Sequence, residues 1–195
     1  MIKLFAGAGF FGALLALSAC ATLNESECQT VNWQQLGDND GSQGHASTRI
    51  AKHSKACEKH GLPVNVAAYN QGWRAGISRY CTPQNGFNVG SRGAAYKGTC
   101  PSEFASQFES AYRVSKNLHD AKQHLHRIEE AVAADIDEVA HLAHSKKPED
   151  KEKLKHVSER LSFNKNDIPR LRSNVTLAER NVQDYLRANP HINAF

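Results

Sequence analysis

Residues 102–188 carry an apolar heptad repeat, and no other feature of the sequence constrains the fold as strongly. Counted in sevens from Phe104, positions a and d of the first half are apolar except at Gln107 and Asp135. The second half has one polar exception, Asn164. Sustained apolar a and d positions among charged residues are typical of helices that pack along a single seam. We interpret polar residues within the seam as residues that fix its register.

The ends of these two helices are marked by residues with known positional preferences. Ser102 suits the cap of the first helix, and Pro148 suits the first turn of the second. A short link at Ser145–Lys147 forces the two helices to run antiparallel, each about 60 Å long. Pro169 falls inside the second helix without disturbing the heptad phase. It predicts either a kink or a break that is capped again at Asp167.

Residues 1–19 have the pattern of a secretory signal. Lys3 precedes an uncharged apolar run that is shorter than the roughly 20 residues of a membrane-spanning helix. The run ends in Leu17-Ser18-Ala19-Cys20, which resembles the bacterial lipobox, whose cysteine is acylated and becomes the new N-terminus. Ala21, where some lipoproteins have aspartate, implies by the same resemblance sorting to the outer membrane. We therefore expect a chain anchored through Cys20 on the periplasmic face of that membrane.

The remaining cysteines are even in number and all precede residue 101; they are Cys28, Cys57, Cys81 and Cys100. In an exported chain they predict two disulfides. Spacing leaves the pairing open, and we favour Cys28 with Cys57 and Cys81 with Cys100. The first part of the chain is therefore expected to be cross-linked, whereas the cysteine-free second part must rely on helix packing.

Glycines and turn residues organise the cysteine-bearing module. Helices are predicted over residues 45–60 and 65–80. The second contains Gly72 and Gly76, each of which costs about 1 kcal/mol relative to alanine in a helix. We therefore expect another backbone or ring to approach that face closely, as in small-xxx-small packing. The turn-rich stretch that follows Cys81 predicts loops.

Two segments of the module share a pattern that indicates a degenerate internal repeat. Tyr69 and Phe87 each begin a run of aromatic-Asn-x-Gly, and each run continues through a second glycine to a cysteine and a proline. In the second segment, short β pairing around Phe87 and Tyr96 is the alternative to an irregular loop.

Motifs that would indicate catalysis are incomplete, so we expect no enzymatic activity and no cofactor. Asp38-Asn39-Asp40-Gly41 resembles the start of a calcium loop. The later positions are occupied by Gln43 and Arg49, where glycine and glutamate are required, so a turn is the better interpretation. The chain has 24 basic and 20 acidic residues without a basic block, which argues against a nucleic-acid partner.

Ligand binding remains open through two groups of residues. His141 and His144 are three residues apart, a spacing that can bind zinc or copper, although we interpret them mainly as exposed and solvated. Four aromatic residues could form a face for a small ligand or a glycan: Trp33, Tyr69, Trp73 and Tyr96.

The ordered cysteines, aromatics and glycines of residues 28–101 resemble the bacterial lipoprotein family catalogued as domain of unknown function 2799. Ile77 stands where that family usually has leucine, and Asn65 lies near a usual acidic position. The resemblance implies an envelope lipoprotein and adds no catalytic residue. The residues that carry it are Cys28, Trp33, Gly37, Asp40, Gly41, Gly44, His53, Cys57, Tyr69, Gly72, Gly76, Tyr80, Cys81, Gly90, Gly93, Tyr96, Cys100 and Pro101.

The predicted protein is mainly α, with a small disulfide-linked module rich in glycine and aromatics followed by a long coiled-coil-like antiparallel hairpin. We expect a non-enzymatic structural or interaction component of the envelope. Its hairpin would bind an envelope protein or a second copy of the chain. The alternative is a periplasmic protein that binds a metal, a small ligand or a glycan. The segments are 1–19 (signal), 20–27 (lipidated tether), 28–101 (module), 102–188 (hairpin) and 189–195 (tail).

Overall fold

The computed structural model describes residues 23–193, and over that range it consists of helices without strands, which confirms the mainly α fold. The signal peptide and Cys20 lie outside the described residues. None of the helices within the described range is long and apolar enough to cross a membrane. A short 3-10 turn at Ser47–Arg49 accompanies seven α-helices: α1 (Glu25–Thr30), α2 (Trp33–Ser42), α3 (Ile50–Glu58), α4 (Val66–Tyr80), α5 (Pro83–Ser91), α6 (Ser102–Leu142) and α7 (Pro148–Ala188).

Side-chain caps start four of the five helices in the first module. Asn24, Asn32 and Asn65 each accept a hydrogen bond from the backbone N–H three residues later, at the starts of α1, α2 and α4. Thr82 does the same for α5, with Pro83 in the first turn. Each cap satisfies a backbone donor that the helix itself leaves unpaired. Asn65, which departs from the family pattern, therefore has a structural role.

Four glycines allow α2 and α4 to cross with their backbones in contact. A methyl group on Gly72 would lie 1.8 Å from the carbonyl oxygen of Gln34, and one on Gly37 would lie 2.0 Å from that of Tyr69. Methyl groups on Gly41 and Gly76 would lie 2.4 and 2.1 Å from the opposite backbone. The close approach expected at Gly72 and Gly76 is confirmed, and the approaching group is another helix with its own pair of glycines.

The prediction of a turn-rich segment after Cys81 was wrong for residues 83–91, which form α5, and the described residues around Phe87 and Tyr96 form no strand. Residues 92–101 are irregular, as predicted. Gly86 and Gly90 face α6, where a methyl group on either would lie 2.3–2.4 Å from the carbonyl oxygens of Phe108 and Tyr112. Glycine and asparagine make this segment a poor helix former by intrinsic propensity. Its cap and its packing on α6, both absent from a local reading of the sequence, outweigh that preference.

Both disulfides have the pairing that we favoured. Cys28 is bonded to Cys57 and Cys81 to Cys100, with Cα–Cα distances of 5.5 and 5.7 Å. The first bridge is packed with Leu23 and joins α1 to α3. The second belongs to a separate apolar cluster that contains Ile77, Val89 and Phe108.

Helices α6 and α7 form the predicted antiparallel hairpin, joined by residues 143–147. Most of the predicted a and d residues are buried or half-buried, and Gln107 is exposed. Pro101, not Ser102, occupies the cap position of α6, without a side-chain hydrogen bond. Helix α7 continues through Pro169, so the break re-capped at Asp167 does not occur.

Ion pairs across the hairpin fix its register. Asp135, a predicted seam residue, is buried, and Arg160 of α7 binds it through Nε at 3.0–3.1 Å from both carboxylate oxygens. Further pairs on both sides of this position link the same two helices: Glu138–Lys153, Glu129–Arg172 and Lys122–Glu179. The interpretation of Asp135 as a register residue is therefore consistent with its contacts.

The N-terminal part of α6 belongs to the core of the first module as well as to the hairpin. Phe108 is fully buried and packs with Cys81 and Cys100. On a neighbouring side, Ala111 packs with Phe87 of α5 and Val182 of α7. The module and the base of the hairpin therefore share one helix, and the tip of the hairpin lies at residues 143–147.

Candidate functional site

Asp40 is the centre of a buried polar cluster that joins three parts of the first module. Its carboxylate accepts hydrogen bonds from the hydroxyl of Tyr69 at 2.7 Å and from Nε2 of His53 at 2.8 Å. The Nε of Arg49 lies 3.0 Å from the other oxygen. Asp40, His53 and Tyr69 come from α2, α3 and α4 and are all buried. One carboxylate therefore holds these helices and Arg49 together.

The side chains that contact Asp40 are arranged to keep its carboxylate in one position. Burial, and then the hydrogen bond to Asp40, raises the pKa of Tyr69 above its ordinary value, so its hydroxyl remains a donor at neutral pH. Within the described residues, Nδ1 of His53 has no hydrogen-bond partner, and Nε of Arg49 has no aligned one. The Arg49–Asp40 contact is therefore an ion pair that leaves the terminal guanidinium nitrogens for other acceptors.

The loop between α2 and the 3-10 turn is fixed by hydrogen bonds. The N–H of His45 donates to the carbonyl oxygen of Asp40 at 3.0 Å, and the indole N–H of Trp73 donates to the carbonyl of His45 at 2.7 Å. Gly44 has a φ of +74° and lies against the ring of Tyr80, so it combines a left-handed backbone with a space that no side chain could enter. The loop therefore has one defined conformation.

A groove of about 360 Å³ lies beside this loop. One wall is formed by residues 44–52 and the other by Lys97 and Thr99, which precede Cys100. The second wall is also fixed: the hydroxyl of Tyr112 donates to the carbonyl of Ala94, and the N–H of Cys100 donates to the hydroxyl of Tyr96. The lining residues are Gly44, His45, Ala46, Thr48, Arg49, Lys52, Lys97 and Thr99.

The groove is electropositive. Arg49, Lys52 and Lys97 line it, and within residues 23–193 neither lysine has a carboxylate within 4.0 Å. Burial lowers the pKa of His45, and the positive charge of Arg49 lowers it further. Asp40 acts in the opposite direction, and Lys97 adds a smaller lowering effect. Protonation of His45, which would add a further positive charge to the groove, is therefore unfavourable as long as no anion is nearby.

Comparison with known families identifies the part of the chain that contains this site. Residues 32–117 match the model of a family described as a protein of unknown function (DUF2799). This segment belongs to the DUF2799 family. The match begins at the cap of α2 and ends within α6, so it includes the Asp40 cluster, the groove and both glycine crossings. No curated protein and no solved structure matches the chain.

The DUF2799 segment differs in its bounds from the module predicted from the sequence. It starts after Cys28, so the Cys28–Cys57 disulfide joins one cysteine outside the segment to one inside it. It also continues past residue 101 to the part of α6 that packs on α5. The segment therefore corresponds to α2–α5 with the buried first turns of the hairpin.

The four aromatic residues predicted as a ligand face do not lie together on the DUF2799 surface. Tyr69 is fully buried against Asp40, and Trp73 is half-buried with its N–H bonded to His45. Trp33 packs on the Cys28–Cys57 bridge. Tyr96 packs on Phe108, with a centroid distance of 4.7 Å. Trp73 and Tyr96 border the same apolar cluster, whereas Trp33 and the buried Tyr69 make other contacts. The structure therefore does not bring the four side chains together on one exposed face.

The histidines proposed as weak metal ligands lie at the far end of the hairpin. His141 is in the last turn of α6, His144 is in the connecting loop, and both are exposed. Across residues 23–193, no group of three or more His, Cys, Asp or Glu side chains is arranged to hold a metal ion. Nothing in their surroundings adds to the metal hypothesis.

In the sequence, Asp40 and His53 stand out only as parts of other patterns. Asp40 appeared in an incomplete calcium motif, and both residues belonged to the family resemblance. Asp40 contacts His53 across 13 positions of the chain and Tyr69 across 29. A polar residue on the glycine-bearing face of a predicted helix, as Asp40 is next to Gly41, is the signal that could have indicated a buried polar contact.

Proposed function

We propose that this protein is an outer-membrane lipoprotein with no enzymatic activity, and that its hairpin binds another protein of the cell envelope. The observation that carries the proposal is the position of its exposed hydrophobic side chains. Phe163 is 74% exposed, Leu177 58% and Ile136 47%, and all three lie on the hairpin, whereas Val66, at 50%, lies in the module. Apolar side chains spaced along one side of a helix can act as anchors for a partner helix or groove.

Phe163 and Leu177 are two heptads apart on α7, so they lie on nearly the same side of that helix. They are outside the seam that α7 forms with α6, which uses Leu171, Ala178 and Val182 instead. The seam therefore leaves these two apolar side chains on α7 exposed within the described structure. A partner helix could cover both residues at once.

The lipid anchor rests on the sequence and on the position of the first described residue. Only Ala21 and Thr22 separate Cys20 from Leu23, which is buried against the Cys28–Cys57 bridge. Three residues of chain span at most about 11 Å. Acylation at Cys20 would therefore hold the module at the membrane surface, with a hairpin about 60 Å long available to contact proteins nearby.

In-cell cross-linking tests the interaction. A photo-reactive amino acid at Phe163 or Leu177 is expected to capture one defined envelope protein, identified by mass spectrometry. The double variant Phe163→Ser/Leu177→Ser, probed from a reporter at the neighbouring exposed position Lys165, is expected to lose that capture. Val66→Ser removes an exposed hydrophobic residue of the module and serves as the matched control. Capture of a second copy would replace the partner with self-association, and capture that survives the double variant would refute the proposal.

The anchor is tested separately. Cells fed a clickable fatty acid are expected to label the protein and to place it in the outer-membrane fraction, whereas Cys20→Ala should abolish the label. A cytosolic protein that retains Met1 and has all five cysteines reduced would overturn the localisation.

A further inference from the structure

We infer that the groove lined by Arg49, Lys52 and Lys97 is a binding site for a phosphate monoester. The inference concerns a different part of the molecule from the hairpin and does not depend on a partner there. It rests on three features of the groove: its charge, its rigidity and its hydroxyl donors.

The charge of the groove matches a dianion. The carboxylate of Asp40 compensates Arg49, whereas Lys52 and Lys97 have no ion-pair partner within the described part of the chain. Two positive charges therefore remain. A phosphate monoester carries about −1.5 to −2 charges at neutral pH, whereas a single carboxylate would leave one cation uncompensated. Arginine and lysine together are the usual protein ligands of phosphate oxygens.

The backbone segments that line the groove are held in place before any ligand binds. Arg49 is held by the buried Asp40, and His45 is held by hydrogen bonds at its own N–H and carbonyl. On the opposite wall, the Cys81–Cys100 bridge holds the segment that carries Lys97. Cations brought together by independent constraints repel one another, and binding an anion relieves that repulsion without reordering the walls.

Two threonine hydroxyls complete the donor set. Thr48 and Thr99 both line the groove, and a hydroxyl can donate to a phosphate oxygen that the cations leave free. The volume of about 360 Å³ exceeds that of a phosphate group and leaves room for the alcohol part of the ester. That alcohol could belong to a soluble ester or to a lipid headgroup, which share the phosphate chemistry.

The test uses glycerol 3-phosphate as the soluble probe, titrated into the purified protein by calorimetry at constant ionic strength. We expect saturable binding that Lys52→Gln/Lys97→Gln weakens at least about tenfold, because two charge-assisted hydrogen bonds are lost. Lys59→Gln/Lys155→Gln removes the same charge from two exposed lysines outside the groove and should change the Kd less than about twofold. Equal weakening in both double variants would overturn the site.

The second readout locates the ligand. NMR titration of His45, which faces Asp40, Arg49, Lys97 and His53, should show its pKa rise when glycerol 3-phosphate is bound, since an adjacent anion favours the imidazolium. An unchanged His45 titration at saturating ligand would place the ligand elsewhere and refute the inference.

Vesicles distinguish the two sources of the phosphate. The Cys20→Ala protein, which has no acyl anchor, is sedimented with vesicles of phosphatidylcholine alone or with phosphatidic acid added. Retention on phosphatidic acid that depends on Lys52 and Lys97 assigns the headgroup, and binding of glycerol 3-phosphate without retention assigns a soluble ester. Binding of neither probe would overturn the inference, whatever the hairpin is found to bind.

Discussion

Gly72 provides the most direct test of how the DUF2799 module is packed. By helix propensity alone, Gly72→Ala should stabilise the mid-helix position by about 1 kcal/mol. The structure predicts the opposite sign. The added methyl group would lie 1.8 Å from the carbonyl oxygen of Gln34 and 2.9 Å from the backbone nitrogen of Asp38, where ordinary contacts begin at 3.4 Å. Both clashing atoms are backbone atoms of α2, so no side-chain rotation can relieve them.

The change in the free energy of unfolding follows from the clash and the helix propensity, which act in opposite directions. Overpacking of a close-packed interface costs about 1–3 kcal/mol, and a clash between two helix backbones belongs at the upper end. After the gain in propensity, the net loss is about 2 kcal/mol. For a chain of this length, that corresponds to a fall in Tm of about 4–8 °C.

Tryptophan fluorescence is the appropriate assay. The chain has two tryptophans, Trp33 in α2 and Trp73 in α4, so their emission reports on the affected crossing. Ala75→Gly, at an exposed position of the same helix, is the control and should cost about 1 kcal/mol through propensity alone. If Gly72→Ala is as stable as the natural protein in urea unfolding, or more stable, the close helix crossing is wrong.

Two further predictions concern pH and the hairpin. Burial raises the pKa of Tyr69, Tyr80 and Tyr96 above the ordinary value of 10. In alkali the folded state therefore binds more protons than the unfolded state. The contribution of these tyrosines to stability should be complete below about pH 10 and be lost as the pH rises further. The midpoint of urea unfolding should fall between pH 8 and 11, and it should fall less steeply with pH in Tyr69→Phe. An equally steep fall in the two proteins would contradict the role of Tyr69. Pro169→Ala should stabilise the hairpin by up to about 3 kcal/mol, because proline removes one hydrogen bond from the continuous α7. Circular dichroism during urea unfolding measures the gain, with Ser162→Ala as an exposed control, and an unchanged midpoint would show that α7 accommodates Pro169 without cost.

The hairpin and the disulfides could be predicted because their signals repeat or can be counted. A heptad pattern states at each position which side of a helix is apolar, and a short link leaves two long helices only the antiparallel arrangement. The predicted start of α6 was less accurate, since Pro101 rather than Ser102 occupies the cap position. Gln107 also shows that a heptad position is not necessarily buried where the partner helix has ended.

The class of fold, the extent of the two long helices and the set of cross-linked cysteines can therefore be derived from the amino-acid sequence. Tertiary contacts were needed to show that α5 is a helix, that Tyr69 is a core residue, and that Asp40, His53 and Arg49 meet. The physical reason is that these features depend on contacts between distant segments, above all on how closely α2 and α4 approach through their glycines. Local periodicity fixes which face of a helix is apolar, whereas the crossing of two helices fixes which polar atoms come within hydrogen-bonding distance.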